Sequence, residues 1–239
     1  KLPTVIWPHG GPFGVRDTAA WDYEAQFYAS RGYLVLKPNF RGSGGYGTTF
    51  LKAGFNQWGG RMQDDVTDAT KWLINEGYAD PERICIVGSS YGGYAALMGA
   101  ILQPDLYQCA ASINGVTDLL RMKGNDRIYA IGGRTWSSRW GLEGADEETV
   151  SPYHRADDIN VPVLLMASLD DARVPFKLSD AMHKRLKKLG KESKFVRIKD
   201  GTHDMVTANA RQKMLKEVGA FLDRRIGPNS NERTAKRNR

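Results

Sequence analysis

The sequence predicts a single α/β domain whose sheet is mostly parallel and carries helices on both faces. Three observations point there. Short apolar runs of strand length alternate along the chain with longer segments of helical periodicity. The chain has 239 residues, enough for one well-buried domain, and shows no internal repeat or linker to divide it. Apolar residues make up 41% and charged residues 26%, which suits a soluble globular chain rather than a disordered one.

Taken in order, Leu2–Trp7 reads as a strand and Ala19–Ser30 as a helix, with Asp17 or Thr18 as its N-cap. Tyr33–Lys37 is a short strand stopped by Pro38, and Asn39–Gly47 a glycine-rich loop. Gln63–Asn75 is a helix with Val66, Ala69, Trp72 and Leu73 on one face. Arg83–Val87 is a strand that runs through a tight glycine-serine turn into a helix over Tyr91–Leu102, and Tyr107–Ile113 is the next strand. Residues 116–160 are less regular and rich in Gly, Trp and Arg, and are expected to form a helical insert. Val163–Ser168 is a buried strand, Pro175–Leu189 an amphipathic helix closed by Gly190, Lys194–Ile198 a strand and Thr207–Arg224 the last helix. The domain is therefore expected over 1–226, followed by a disordered basic tail, 227–239.

Composition also excludes some partners. Net charge is +7, but Arg233, Lys236, Arg237 and Arg239 crowd into a tail with no aromatic residues, so nucleic acid is not an expected partner. No apolar run approaches the roughly 20 residues needed to span a bilayer, so no membrane partner is expected either. The chain reads as soluble, cytoplasmic or periplasmic, and its oligomeric state is left open between monomer and homo-oligomer. Cys85 and Cys109 each lie in a strand-like apolar run and read first as buried free thiols, with a structural disulfide as the alternative.

The chemistry concentrates at carboxyl ends of strands, where open sheets of this kind bind ligands. Gly88-Ser89-Ser90-Tyr91-Gly92 is a G-x-S-x-G sequence between a strand and a helix, the context of a nucleophile elbow. Only Ser90 sits at its centre. A serine hydroxyl needs a base to take its proton. Of the four histidines, His203 follows the last strand. His183 lies on a charged helix and reads as solvated, His154 reads as structural, and His9 belongs to a separate motif. A carboxylate to orient the base is offered by Asp170 and Asp171, adjacent residues after Val163–Ser168. The order Ser…Asp…His is that of α/β-hydrolases. Pro8-His9-Gly10-Gly11-Pro12, directly after the first strand, supplies an oxyanion loop whose glycines let backbone amides approach a substrate.

These stretches resemble the catalytic domain of the prolyl oligopeptidase family, which includes acylaminoacyl peptidases and dipeptidyl peptidases. The matching residues are His9-Gly10-Gly11-Pro12, Asn39-Phe40-Arg41-Gly42-Ser43-Gly44-Gly45-Tyr46-Gly47, Gly88-Ser89-Ser90-Tyr91-Gly92-Gly93-Tyr94, Asp171-Ala172-Arg173-Val174-Pro175 and the His203 loop. The resemblance implies an α/β-hydrolase fold and a serine peptidase with catalytic Ser90, Asp171 and His203. It favours Asp171 over Asp170, and it implies an oxyanion hole from the Tyr91 amide and a Gly10 or Gly11 amide. It also implies that Arg173 binds a carbonyl of a peptide substrate, against the plain alternative of an ion pair with Asp170. No cofactor and no metal are implied. The chain departs from the family in having Ala167-Ser168 where many members have His-Gly. Family members also carry sheet strands and usually a β-propeller upstream, so the chain is expected to be a piece of a longer protein. Two other functions share the residues: a carboxylesterase with the same triad and an inactive interaction module. Trp136, Trp140, Tyr129 and Tyr153 in the insert, with Trp58 and Tyr94, are expected to pack rather than to bind.

Overall fold

A computed structural model describes residues 1–122 and 146–227. The elements run β1 (Leu2–Ile6), α1 (Tyr23–Ala29), β2 (Leu34–Leu36), α2 (Thr48–Lys52), α3 (Arg61–Asn75), β3 (Ala79–Ser89), α4 (Tyr91–Leu102), β4 (Cys109–Ile113), a 3₁₀ turn at Ala156–Asp158, β5 (Val163–Ser168), α5 (Phe176–Lys188), β6 (Ser193–Ile198) and α6 (Ala208–Arg225). Among the described residues the strands form one six-stranded sheet in the order β2-β1-β3-β4-β5-β6, every pair parallel.

The central strands are buried on both faces, so they read as unbroken apolar runs and not as alternating ones. The period-two pleat divides them between two cores. Ile84, Ile86, Ala110, Val163 and Leu165 face the layer of α3, α4 and α5, where they meet Met62, Leu97, Leu178 and Met182. Val5, Cys85, Val87, Leu164 and Met166 face the opposite layer and meet Tyr28 of α1 and Met214, Val218 and Leu222 of α6. Helices thus cover both faces, as expected. Among the described residues no helix is long and apolar enough to cross a membrane.

Three expectations need correction. The cysteines are not free thiols: Cys85 and Cys109 are register partners on β3 and β4 and form a disulfide, with Cα atoms 4.8 Å apart. Apolar surroundings suggested inert thiols, but strand register, which places the two side by side, is not written in either run. Helix α1 starts at Tyr23, later than expected, because Asp22 caps it by accepting the Ala25 amide at 2.8 Å. Asp17 pairs instead with Lys37 at 2.9 Å, and Thr18 accepts the Ala20 amide. His183 is not fully solvated: it is half-buried beside β6, with Nδ1 2.9 Å from the Ser193 hydroxyl. Strand β3 is longer than its apolar core, and the short α2 after the glycine-rich loop was not anticipated. Of the expected insert, Tyr129, Trp136 and Trp140 lie outside the described residues, as does the tail beyond Gly227.

Candidate active site

Steric necessity builds the elbow between β3 and α4. Ser90 has φ 59° and ψ −121°, a conformation unusual for a residue with a side chain. Its flanks have no room for one. A Cβ on Gly88 would lie 2.4 Å from the backbone of Gly92, and a Cβ on Gly92 would lie 2.1 Å from the Pro8 carbonyl oxygen. The turn is tied to the sheet by the Ser90 amide, which donates to the Ile113 carbonyl at 2.9 Å. It opens α4, a helix whose residues 91–101 are all buried, so the turn rests on a rigid support. The Tyr91 amide lies in the first turn of α4, where backbone N–H groups lack an intrahelical acceptor.

His203 lies in the loop after β6 and Asp171 in the loop after β5. The His203 Nδ1 stands 2.7 Å from Asp171 Oδ2. A carboxylate oxygen accepts, so Nδ1 carries a proton and, in the neutral ring, Nε2 keeps the lone pair. Asp171 Oδ1 accepts two further hydrogen bonds, from the Arg173 and Val174 amides at 2.8 Å each. The Asp171 side chain is wholly buried, whereas Asp170 is exposed and its backbone amide donates to the Gly201 carbonyl at 3.3 Å. Burial and donor count therefore separate two carboxylates that the sequence left adjacent and equivalent.

Asn114, at the end of β4, is a residue that sequence reasoning missed. It is buried, its Oδ1 accepts the Ser168 amide at 2.7 Å, and its Nδ2 donates to the His203 carbonyl at 3.0 Å. One side chain thus joins the end of β5, where the acid loop begins, to the His203 loop. The only hint was a polar residue at a strand's carboxyl end. Ser168, at the position of the departure from the family pattern, packs under the same loop: a Cβ on Gly201 would lie 2.5 Å from its hydroxyl.

Ser90, His203, Gly10, Gly11 and Arg173 line one cavity of about 470 Å³. Gly10 is held against the elbow, since a Cβ there would stand 3.3 Å from Ser90 Cβ. Arg173 does not pair with Asp170. Its Nη1 donates to Asp204 Oδ1 at 3.0 Å, and its side chain is 65% exposed, which leaves other guanidinium donors open at the cavity. Tyr91, Tyr94 and Trp58 are buried and pack on one another, as expected of packing residues. Another wall of the cavity is acidic: Asp17, Asp22 and Glu24 stand with Lys37, which pairs with both aspartates. Burial, reinforced by the charge of Asp22, raises the Glu24 carboxyl to about 7 despite the hydrogen bond it accepts from Tyr23. Among the described residues no three His, Cys, Asp or Glu side chains gather as metal ligands.

A parallel sheet with helices on both faces, an elbow serine and a histidine–carboxylate pair on later loops together define the α/β-hydrolase fold. Within that class the chain belongs to the prolyl oligopeptidase family of serine peptidases, whose model matches residues 19–229. It is 36% identical over 197 residues to dipeptidyl aminopeptidase BIII of Pseudoxanthomonas mexicana, covering 77% of this chain and 28% of that protein. It is 30% identical over 236 residues to the uncharacterized peptidase YuxL of Bacillus subtilis, covering 94% of this chain and 35% of that protein. The solved acylaminoacyl peptidase of Pyrococcus horikoshii superposes with a TM-score of 0.85 at 32% identity, over 95% of this chain and 38% of its own. The chain thus spans about a third of the length of these relatives.

Proposed function

We propose that this chain hydrolyses short peptides, of the acylaminoacyl or dipeptidyl kind, through a Ser90–His203–Asp171 triad and an acyl-enzyme. The observation that carries the reading is the 2.7 Å contact between His203 Nδ1 and a buried Asp171 whose other oxygen is held by two amides. That arrangement presents a lone pair on Nε2, the form a general base needs. His203 takes the Ser90 proton as Oγ attacks the substrate carbonyl. The charge that develops on the carbonyl oxygen rests on the Tyr91 amide and an amide of Gly10 or Gly11. His203 then returns its proton to the leaving amine, the C–N bond breaks, and the acyl group stays on Ser90. Water, activated by His203, releases the acid and restores the serine. Arg173, with donors open at the cavity, holds a carbonyl of the peptide outside the scissile bond.

The test is hydrolysis of a matched pair, an amide and an ester carrying the same aminoacyl group, with Ser90→Ala as the blank. Amide cleavage that disappears in Ser90→Ala is the expected result. Ester cleavage alone would replace the peptidase by a carboxylesterase with the same triad. Full activity in Ser90→Ala would overturn the assignment of the nucleophile.

A further inference from the structure

The cavity that holds Ser90 extends to a wall that the chemistry above does not use. Asp17, Asp22, Tyr23, Glu24 and Lys37 line it, beside Trp7 at the end of β1. Met205, from the His203 loop, and Met214, from α6, line the cavity too. His203 hands its proton to the leaving amine, so the leaving group departs beside His203. The His203 loop runs directly into α6, and Met205, Met214 and Tyr23 share the core that α1 and α6 build on that face of the sheet. The acidic wall therefore stands on the leaving-group side of Ser90.

Setting donors against acceptors shows what the wall lacks. Lys37 pairs with Asp17 Oδ1 at 2.9 Å and with Asp22 Oδ2 at 2.6 Å, and Asp22 Oδ1 accepts the Ala25 amide at 2.8 Å. Glu24 Oε1 accepts from the Tyr23 hydroxyl at 3.2 Å. Among the described residues nothing donates to Asp17 Oδ2, which is buried, or to Glu24 Oε2. One lysine thus serves three carboxylates. Arg211, a second cation, lies over the Tyr23 ring, 6.0 Å from its centroid.

An observation independent of these charges points to the same place. Tyr28 is fully buried, and its hydroxyl has no partner among the described residues. It lies one turn after Glu24 on α1, and helical side chains lean toward the helix N-terminus, so the phenol is directed back toward Glu24. Its ring packs on the cavity-lining Trp7, with centroids 5.3 Å apart. Burial, and after it the charge of Glu24, raises the Tyr28 pKa well above its ordinary value, so the hydroxyl keeps its proton.

We propose that Asp17 and Glu24, backed by the Tyr28 hydroxyl, form a cation subsite that selects peptides with lysine or arginine on the leaving-group side of the scissile bond. The inference rests on the Ser90 reading above and names the substrate class of that site. A guanidinium or ammonium group brings donors to the two oxygens that have none, and its charge offsets the excess of carboxylates. The apolar stem of such a side chain can lie on Trp7 and Met214. The cavity, about 470 Å³, is within the size range of sites for small ligands.

Acyl transfer reads the leaving-group side alone. Ser90 is acylated by p-nitrophenyl butyrate at pH 8, above the Glu24 pKa of about 7, and the acyl-enzyme partitions between water and an added amino-acid amide. The amine attacks the acyl carbonyl, the bond to Ser90 Oγ breaks, and His203 carries the amine's proton to Oγ. The ratio of amide to acid product measures how well the acceptor is held. Argininamide and lysinamide are expected to outcompete norleucinamide by about 10-fold or more. In Glu24→Gln, which keeps the side chain's length, the advantage should fall to within about threefold. Acceptors used equally by the wild type, or an arginine advantage that persists in Glu24→Gln, would overturn the subsite while leaving the nucleophile untouched. An alanine ester with a free amino terminus, favoured over its acetylated form by the wild type and not by Glu24→Gln, would move the cation to the acyl side and overturn the placement. An unchanged advantage in Tyr28→Phe would remove the hydroxyl from the subsite. Acyl transfer that persists in Ser90→Ala would instead overturn the reading beneath it.

Discussion

Replacing Asp171 by asparagine separates the orientation of His203 from the stability of the loop that carries the acid. The carboxylate accepts two backbone amides on Oδ1, each at 2.8 Å, and His203 Nδ1 on Oδ2 at 2.7 Å. Asparagine has a single oxygen. With that oxygen facing His203, its NH₂ group would confront the Arg173 and Val174 amides. Two buried donors would then go unsatisfied, at about 1–3 kcal/mol each. The opposite orientation keeps both amides satisfied and sets NH₂ against Nδ1, so it is the one adopted. The imidazole must then carry its proton on Nε2, the nitrogen that has to accept from Ser90. Turnover is expected to fall about 10⁴-fold, roughly 5 kcal/mol of activation free energy. The urea midpoint should stay near that of the wild type. Asp171→Ala loses the amide contacts as well and should fall in both rate and stability. The assay is kcat/KM on the ester substrate beside urea unfolding of the three proteins. An Asp171→Asn enzyme within tenfold of wild-type turnover would refute the tautomer reasoning.

Two more outcomes follow from the described geometry. Gly92→Ala must move the Pro8 carbonyl, which would lie 2.1 Å from the new methyl, so a loss of at least about 2 kcal/mol in urea unfolding is expected; a wild-type midpoint would show that the elbow is looser than drawn. Glu24, raised to about 7 when folded against 4.5 as a free carboxyl, binds its proton more tightly in the folded state, so it favours the fold most below pH 4.5 and that advantage is lost as pH rises to about 7. Glu24→Gln should therefore be more stable than wild type at pH 8, by up to about 3 kcal/mol, with the difference shrinking toward pH 5. A stability difference that does not vary with pH would count against a raised pKa at this half-buried carboxyl.

The parts of this protein that are legible in its sequence are those set by short-range physics. Alternating apolar runs and helical periods specify a parallel sheet covered on both faces, because a strand buried on two sides must be apolar throughout. Gly88 and Gly92 announce the elbow because its backbone leaves no space for a Cβ on either side of Ser90. The positions of Asp171 and His203 after successive strands follow from the same alternation, since adjacent parallel strands bring their carboxyl-end loops together.

What only the tertiary structure decides depends on which distant groups come into contact. Cys85 and Cys109 looked like separate buried thiols because strand register, which pairs them, is a relation between two runs and not a property of either. Asp170 and Asp171 are chemically identical in the sequence; burial and two amides distinguish one of them, and the family resemblance could only favour it. Arg173 finds Asp204 and not its near neighbour Asp170, because the loop after β6 folds back across the loop after β5. Asn114 carries no local signal, since it gains its place by reaching a loop dozens of residues away. Local sterics write themselves into spacing, whereas hydrogen bonds between loops appear only once the sheet has set those loops side by side.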